Sequence, residues 1–431
     1  MRGWKLVVVG MGCFGVVLVA CACLVATGLV WVSLTPGGER ALKSLSTPPS
    51  ANRLVVLGDD GNIYTVSPDG SDRQALTTDA TTDHTYRQPT WSPSAERVAW
   101  VEIDSRTSDI HSTLLTSRSD GRDRTTAVIP FPAFYLFWSP DSQRLAYLSS
   151  GTTELALSLV DVAHGGDEAT TLDRGQPLYF SWAPDGRRLL THIGTDRLAL
   201  LSLDGTQAPL DARPAAFAAP QWSPDGSQLL YAVRDGTAQR LIAATPEGTL
   251  QHEITSFDGV ISFTMSPDRR QIAYAITPEP IGTAAFGPLY IADLNTNQAR
   301  ELSAEPVLAF FWSPDSRYVI FLRPERHPPV TPVPEAAPLR QEQLWLRWHI
   351  WDGTRTFPLS LFSPSDTFLL DYLRFFDQYA QSMTLWAPDS SAFVYAGLGE
   401  NGFQGVWVHP IGEGSAPTRV TRGFFAAWSP R

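Results

Sequence analysis

From about residue 50 onward the chain alternates between short apolar runs and short polar turns. Residues 134–138 form an apolar, aromatic run that suits a β-strand. Ser139-Pro140-Asp141-Ser142 then makes a turn, with proline presetting φ and Ser and Asp at the polar positions around it. A second run, 144–148, is continuously apolar after its first residue, as in a strand buried on both faces. Counted from that run, a second strand is expected at 154–160, a Gly-rich turn follows, a more polar strand ends in Thr171-Leu172, and 178–182 is the fourth. The run 178–182 then leads into the next Trp-containing turn. The unit is therefore four short strands.

That turn returns eight times. It reads Trp91-Ser92-Pro93-Ser94, Trp138-Ser139-Pro140-Asp141, Trp182-Ala183-Pro184-Asp185, Trp222-Ser223-Pro224-Asp225, Met265-Ser266-Pro267-Asp268, Trp312-Ser313-Pro314-Asp315, Trp386-Ala387-Pro388-Asp389 and Trp428-Ser429-Pro430. Successive copies are 47, 44, 40, 43, 47, 74 and 42 residues apart. A period of this length built of short strands is the signature of a β-propeller. The tryptophans are expected to pack between neighbouring blades. Asp141, Asp185, Asp225, Asp268, Asp315 and Asp389 are expected to fix the turns, and Met265 fits a packing position better than a binding one.

The last motif has no strand after it, while residues 53–57 have no motif before them. The two ends complement each other: 424–430 is expected to supply the outer strand of the blade whose inner strands lie within 53–77. Such closure removes two open sheet edges. The fold class read from the sequence is all-β, an eight-bladed propeller of four-stranded blades spanning 51–431. The 74-residue step also leaves room for a ninth unit near 362–366, but two insertions account for its length.

The Trp-Ser-Pro-Asp copies resemble the TolB-type propeller repeat, a WD-repeat-like family, over roughly residues 50–431. The resemblance implies the fold; propellers host many activities, so it does not specify one. The family's namesake has a six-bladed ring behind a separate α/β domain, and neither feature is read here. Eight blades also resemble the propeller of prolyl-oligopeptidase-type peptidases. Those carry an α/β-hydrolase domain with a Gly-x-Ser-x-Gly elbow, and no such elbow occurs in this sequence.

Residues 6–34 contain no charge, a stretch of 29 residues preceded by Arg2 and Lys5. It is long enough to span a bilayer. The positive-inside rule then places the propeller outside the cytoplasm. An uncleaved signal-anchor over 1–34, a lipoprotein lipidated at Cys21 in Leu18-Val19-Ala20-Cys21, and a cleaved signal are the competing readings. Residues 35–50 form a linker. All three cysteines, Cys13, Cys21 and Cys23, lie in the apolar segment, so the propeller has neither a disulfide nor a Cys-based metal site.

The formal net charge of −11 argues against nucleic acid as a partner. Eight histidines are scattered without a metal-ligand spacing. Residues from different blades can still meet at the channel, and some TolB-like propellers are polysaccharide lyases that use such histidines. Asp59-Asp60-Gly61-Asn62 and Asp69-Gly70-Ser71-Asp72 resemble parts of calcium loops but also suit hairpin turns. No cofactor is expected. The unit after Trp312 carries two insertions, 323–340, rich in proline and including Pro328 and Pro329, and 362–381. In the second, Phe368, Tyr372, Phe375 and Tyr379 recur at helical spacing, with Asp371, Arg374 and Gln378 on another face. Both insertions are expected to project together, opposite the Trp-Ser-Pro turns. Two outcomes are open: an aromatic docking surface made by Phe368, Tyr372, Arg374, Phe375, Tyr379, Pro328 and Pro329, or a helix packed over the disc. The expected function is a membrane-anchored, extracytoplasmic module of a bacterial envelope that binds an envelope protein or a glycan. The alternative is a hydrolase or polysaccharide lyase with a composite site at the central channel.

Overall fold

The computed structural model describes residues 52–162, 169–278, 287–326 and 343–431. The expected membrane segment, the Cys21 site, the linker, Pro328 and Pro329, and His164 and His327 lie outside the described residues. Among the described residues, no helix is long and apolar enough to cross a membrane.

Among the described residues the strands form seven antiparallel sheets, six of four strands and one of seven. The sheet of Ala133–Trp138, Arg144–Ser150, Leu155–Asp161 and Thr170–Gly175 follows the sequence reading closely: chain neighbours are sheet neighbours throughout. Leu145, Ala146, Tyr147 and Leu148 in its second strand are buried. Adjacent side chains of a strand face opposite sides, so both faces of the sheet are covered.

The first strands of successive sheets, His84–Trp91, Ala133–Trp138, Leu178–Trp182, Gln221–Trp222, Val260–Met265 and Ala309–Trp312, form one edge of each sheet. Neighbouring first strands approach each other, as at 84–91 with 133–138 and 178–182 with 221–222. The sheets therefore converge along these edges, which line a common axis, and the fold is a β-propeller.

The repeated turn has a consistent construction. In Ser139-Pro140-Asp141-Ser142, Ser142 N donates to Ser139 O at 2.8 Å, and Asp141 Oδ1 accepts from Gln143 N at 3.0 Å. Ser139 Oγ also accepts from Arg144 N at 2.9 Å. The fourth residue is left-handed in seven copies: Ala95, Ser142, Gly186, Gly226, Arg269, Ser316 and Ser390. Ser139 N donates to Arg144 O at 2.9 Å, which closes a four-residue hairpin loop of the kind built around a type I turn. Where serine occupies that position it reaches the preceding unit: Ser142 Oγ accepts from Ser94 N at 3.0 Å and Ser316 Oγ from Asp268 N at 2.9 Å.

Four of the motif tryptophans tie neighbouring units together through their indole N–H groups. Trp138 donates to Thr90 O at 3.4 Å, Trp182 to Phe137 O at 3.2 Å, Trp312 to Thr264 O at 3.1 Å, and Trp386 to Phe311 O at 3.3 Å. Met265 has no such donor. There Gln221 spans the gap, with Nε2 donating to Phe263 O at 2.6 Å and Oε1 accepting from Met265 N at 3.2 Å.

Phe425–Trp428 pairs with Leu54–Leu57 in the register Leu54↔Trp428 to Leu57↔Phe425, so both ends of the described region share a sheet. The expectation that this strand is the outer one is corrected. It is the edge strand beside Leu54–Leu57 and contacts His84–Trp91, so it lies at the axis. The alternation of direction fixes this: a strand that enters a Trp-Ser-Pro turn is the first of its sheet.

The seven-stranded sheet runs through Ala309–Trp312, Val319–Pro324, Leu346–Trp351, Thr356–Pro364, Ala392–Gly399, Gln404–Pro410 and Thr418–Thr421. Its two parts join where Phe362 pairs with Gly399 and Pro364 with Gly397. A Cβ on Gly397 would lie 2.3 Å from Ser363 O, so only glycine permits this junction.

Candidate functional site

Residues 365–383 do not project from the disc. They run along its axis as a π turn Thr367–Tyr372, a 3-10 turn Leu373–Phe375 and a single α turn Phe376–Tyr379. Phe368, Tyr372, Leu373, Phe376, Asp377, Gln378 and Tyr379 are all buried. The docking reading is corrected for Phe368, Tyr372 and Tyr379: the aromatic stripe packs into the ring's own centre. Arg374 is exposed and Phe375 half-buried at one mouth.

The segment touches every sheet. The Tyr372 ring lies 5.7 Å from that of Phe425, and Thr90 Oγ1 donates to Ser382 O at 3.3 Å. Tyr135 Oη donates to Gln378 O at 3.1 Å. The Gln378 side chain pairs with both backbone groups of Phe180, Nε2 to O at 2.7 Å and N to Oε1 at 3.1 Å. Ala219 N reaches Asp377 Oδ2 at 3.4 Å, and Gln381 Nε2 donates to Pro220 O at 3.3 Å. The α turn also contacts Val260–Met265, and the Phe376 ring lies 4.8 Å from that of Phe310. Burial is the main force raising the Asp377 carboxyl to about 6, and it also pushes the Tyr372 phenol up.

Each end of the axis has a depression. On the Trp-Ser-Pro face a cavity of about 530 Å³ is ringed by motif prolines such as Pro140, Pro184 and Pro224 and floored by Ala380, Gln381 and Met383. On the opposite face a cavity of about 450 Å³ lies among Phe134, Tyr179, Phe217, Ile261, Phe375 and Asp377. The Tyr179 and Phe217 rings there lie 4.4 Å apart.

Strand direction places the second-to-third and fourth-to-first connections on this second face. Six of the eight exposed large apolar side chains among the described residues belong there: Ile110, Phe134, Leu344, Leu370, Phe403 and Phe424. Among the described residues no named strand leads into the turn at Trp386, as one does at Trp138 and Trp182. Residues 384–386 take that place through bridges to Phe393 and Trp428.

The described histidines sit in separate surroundings. His84 is buried, with Nε2 2.8 Å from Glu102 Oε1 and Nδ1 3.2 Å from Asp79 O. Tyr86 Oη donates to Asp79 Oδ1 at 2.8 Å and completes that network. His192 Nδ1 lies 3.0 Å from Ala218 O, and its ring contacts Phe217. Burial lowers the pKa of His192 and His409, and burial with Arg323 nearby lowers His349 to about 4. Among the described residues no group of three His, Cys, Asp or Glu is arranged to hold a metal. The two calcium-like segments form hairpin turns in which Asn62 N donates to Asp60 and Ser71 N to Asp69.

No protein-family model matches the chain, and no curated protein matches it in sequence. Solved structures of similar shape include TolB from Acinetobacter baumannii, at 15% identity over 71% of this chain and 78% of that one, TM-score 0.39. A eukaryotic initiation factor is similar at 13% identity over 88% and 99%, TM-score 0.49. Oligogalacturonate lyase in complex with manganese is similar at 14% identity over 84% and 99%, TM-score 0.48. Identities this low concern fold alone. By its own sheet order and converging first strands, the chain is a β-propeller whose axis is occupied by its own residues 365–383.

Proposed function

We propose that the protein is a binding or scaffolding module of a bacterial envelope, held at the membrane by residues 6–34 with the propeller outside the cytoplasm. Its partner in this reading is an envelope protein or a glycan. We further assign the ring eight blades of the TolB-type repeat. The seven-stranded sheet divides between Thr356–Pro364 and Ala392–Gly399, and 384–386 serves as the first strand of the eighth blade.

The observation that carries the binding reading is the grouping of exposed apolar side chains, Leu370, Phe403 and Phe424 among them, on the face opposite the Trp-Ser-Pro turns. Apolar exposure collected on one face marks an interaction surface. The rival reading, a hydrolase or polysaccharide lyase with a composite channel site, calls for His, Asp and Arg converging at one mouth. The separate settings of His84, His192, His349 and His409 favour binding over that reading.

The test is capture from native envelope by the tagged full chain, with Leu370→Asp/Phe403→Asp compared against Asp185→Asn on the other face. The double variant should lose a partner that wild type and Asp185→Asn both retain. Equal capture by all three overturns the assignment of the face.

A further inference from the structure

The cavity between Tyr179, Phe217, Phe375 and Asp377 combines apolar walls with a carboxyl group at its base. Asp377 is 7% exposed. Its oxygens accept Gln378 N at 3.0 Å and, at a longer 3.4 Å, Ala219 N. No ion pair to Asp377 is formed among the described residues. A buried carboxylate without a cation is costly, and its usual companions are a cation or a metal.

The groups around it are defined. Arg374, on the same segment, is exposed at the rim with its guanidinium over the Phe375 ring. Tyr135, Tyr179 and Tyr379 are the other titratable side chains lining the cavity, all with phenol pKa values raised by burial. Ala219 and the 260–262 stretch bring no charge. His192 touches Phe217 and donates or accepts only at Ala218. Two charges therefore line the cavity, Arg374 at its exposed rim and Asp377 at its base; of the two only Asp377 is buried, and the walls around it are aromatic faces, which attract cations. The volume of about 450 Å³ falls within the range of small-molecule sites.

We propose that this cavity binds a small organic ammonium, an apolar body bearing a protonated amine, with the ammonium on Asp377 and the body against Tyr179, Phe217 and Phe375. The inference stands apart from the macromolecular partner proposed above. It needs no contribution from the exposed Leu370, Phe403 and Phe424, so the two readings fail separately.

The test uses the full chain in detergent and isothermal titration calorimetry with 4-phenylbutylamine, its neutral analogue 4-phenylbutanol and the anion 4-phenylbutyrate. At pH 7.5 the amine should bind about tenfold or more tighter than the alcohol, the scale of a hydrogen bond to a charged group. The carboxylate should bind weakest. Because burial pushes the Asp377 carboxyl up to about 6, the advantage of the amine should shrink as pH falls below that value, by up to about tenfold per pH unit. Asp377→Asn should abolish the advantage and leave alcohol binding unchanged. Phe217→Ala should weaken amine and alcohol alike. Equal binding of amine and alcohol, no binding of the amine, or an unchanged preference in Asp377→Asn overturns the proposal. Should that variant not fold, the wild-type pH profile decides: a flat profile between pH 7.5 and 5 overturns it.

Discussion

Gln378→Leu should destabilise the protein more than any other single polar-to-apolar change in the axial segment. Phe180 lies in Leu178–Trp182, whose one neighbour in its sheet is Arg188–Ile193. Its other edge faces the axis, where an unpaired N–H and C=O are normally left to solvent. Here the Gln378 amide takes both, at 3.1 and 2.7 Å, in the manner of an adjoining strand. It also donates to Tyr135 Oη at 2.8 Å, and Gln378 is 1% exposed. Leucine fills similar space but orphans both Phe180 groups. Each orphan costs about 1–3 kcal/mol, and the gain from a more apolar side chain offsets only about 1 kcal/mol. A loss of about 3 kcal/mol is expected. Gln381→Leu is the control. Its amide makes two bonds of 3.3 Å in a half-buried position, and it should lose under about 1 kcal/mol. Urea unfolding measures both, and hydrogen exchange at the Phe180 amide should quicken only in Gln378→Leu. A loss no larger than that of the control would refute the reasoning, because solvent would then be satisfying Phe180 in place of Gln378.

Asp377→Asn should stabilise the protein in a pH-dependent way. Burial raises the folded carboxyl from 3.8 to about 6, so the folded state binds this proton more tightly than the unfolded chain. The penalty is absent below about pH 4, grows through the window up to about 6 and is complete above it. The gain should reach at most about 3 kcal/mol at pH 7.5 and vanish near pH 4; equal urea midpoint shifts at both pH values would contradict this. Trp138→Phe removes the donor to Thr90 O and should cost about 1–2 kcal/mol in the same assay, an unchanged midpoint counting against the inter-sheet role. Ser142 is left-handed at φ 61°, so Ser142→Ala keeps that strain and loses the bond to Ser94 N. Ser142→Gly loses the bond but relieves the strain, and should be about 1 kcal/mol more stable than Ser142→Ala; the reverse order would rule out the assigned turn geometry.

The sheets were legible because each rests on short-range signals. A strand such as 144–148 announces itself by an unbroken apolar run, and Ser139-Pro140-Asp141 by turn chemistry. The pairing of 54–57 with 425–428 was legible from the two incomplete ends, although its side of the sheet was not. The course of 365–383 was not legible for a physical reason. Helical spacing of Phe368, Tyr372 and Tyr379 shows that one face is apolar, but it cannot say what that face meets. Gln378 reads as part of a polar face with Asp371 and Arg374, and nothing in the sequence singles out Asp377. Here Gln378 and Asp377 meet the backbone of Phe180 and Ala219, residues about 200 and 160 positions earlier, and backbone groups carry no sequence signature. Gln221 was missed in the same way, since its use appears only where Met265 leaves the tryptophan position vacant.

The occupied axis changes what holds the blades to one another. In an open ring each blade is linked in series, and one broken seam frees the circle. Residues 365–383 add a hub, and blades tied to a hub are linked in parallel. A protease cut in an outer connection between two blades should therefore leave one intact particle, with the severed halves still gripping the same central strut.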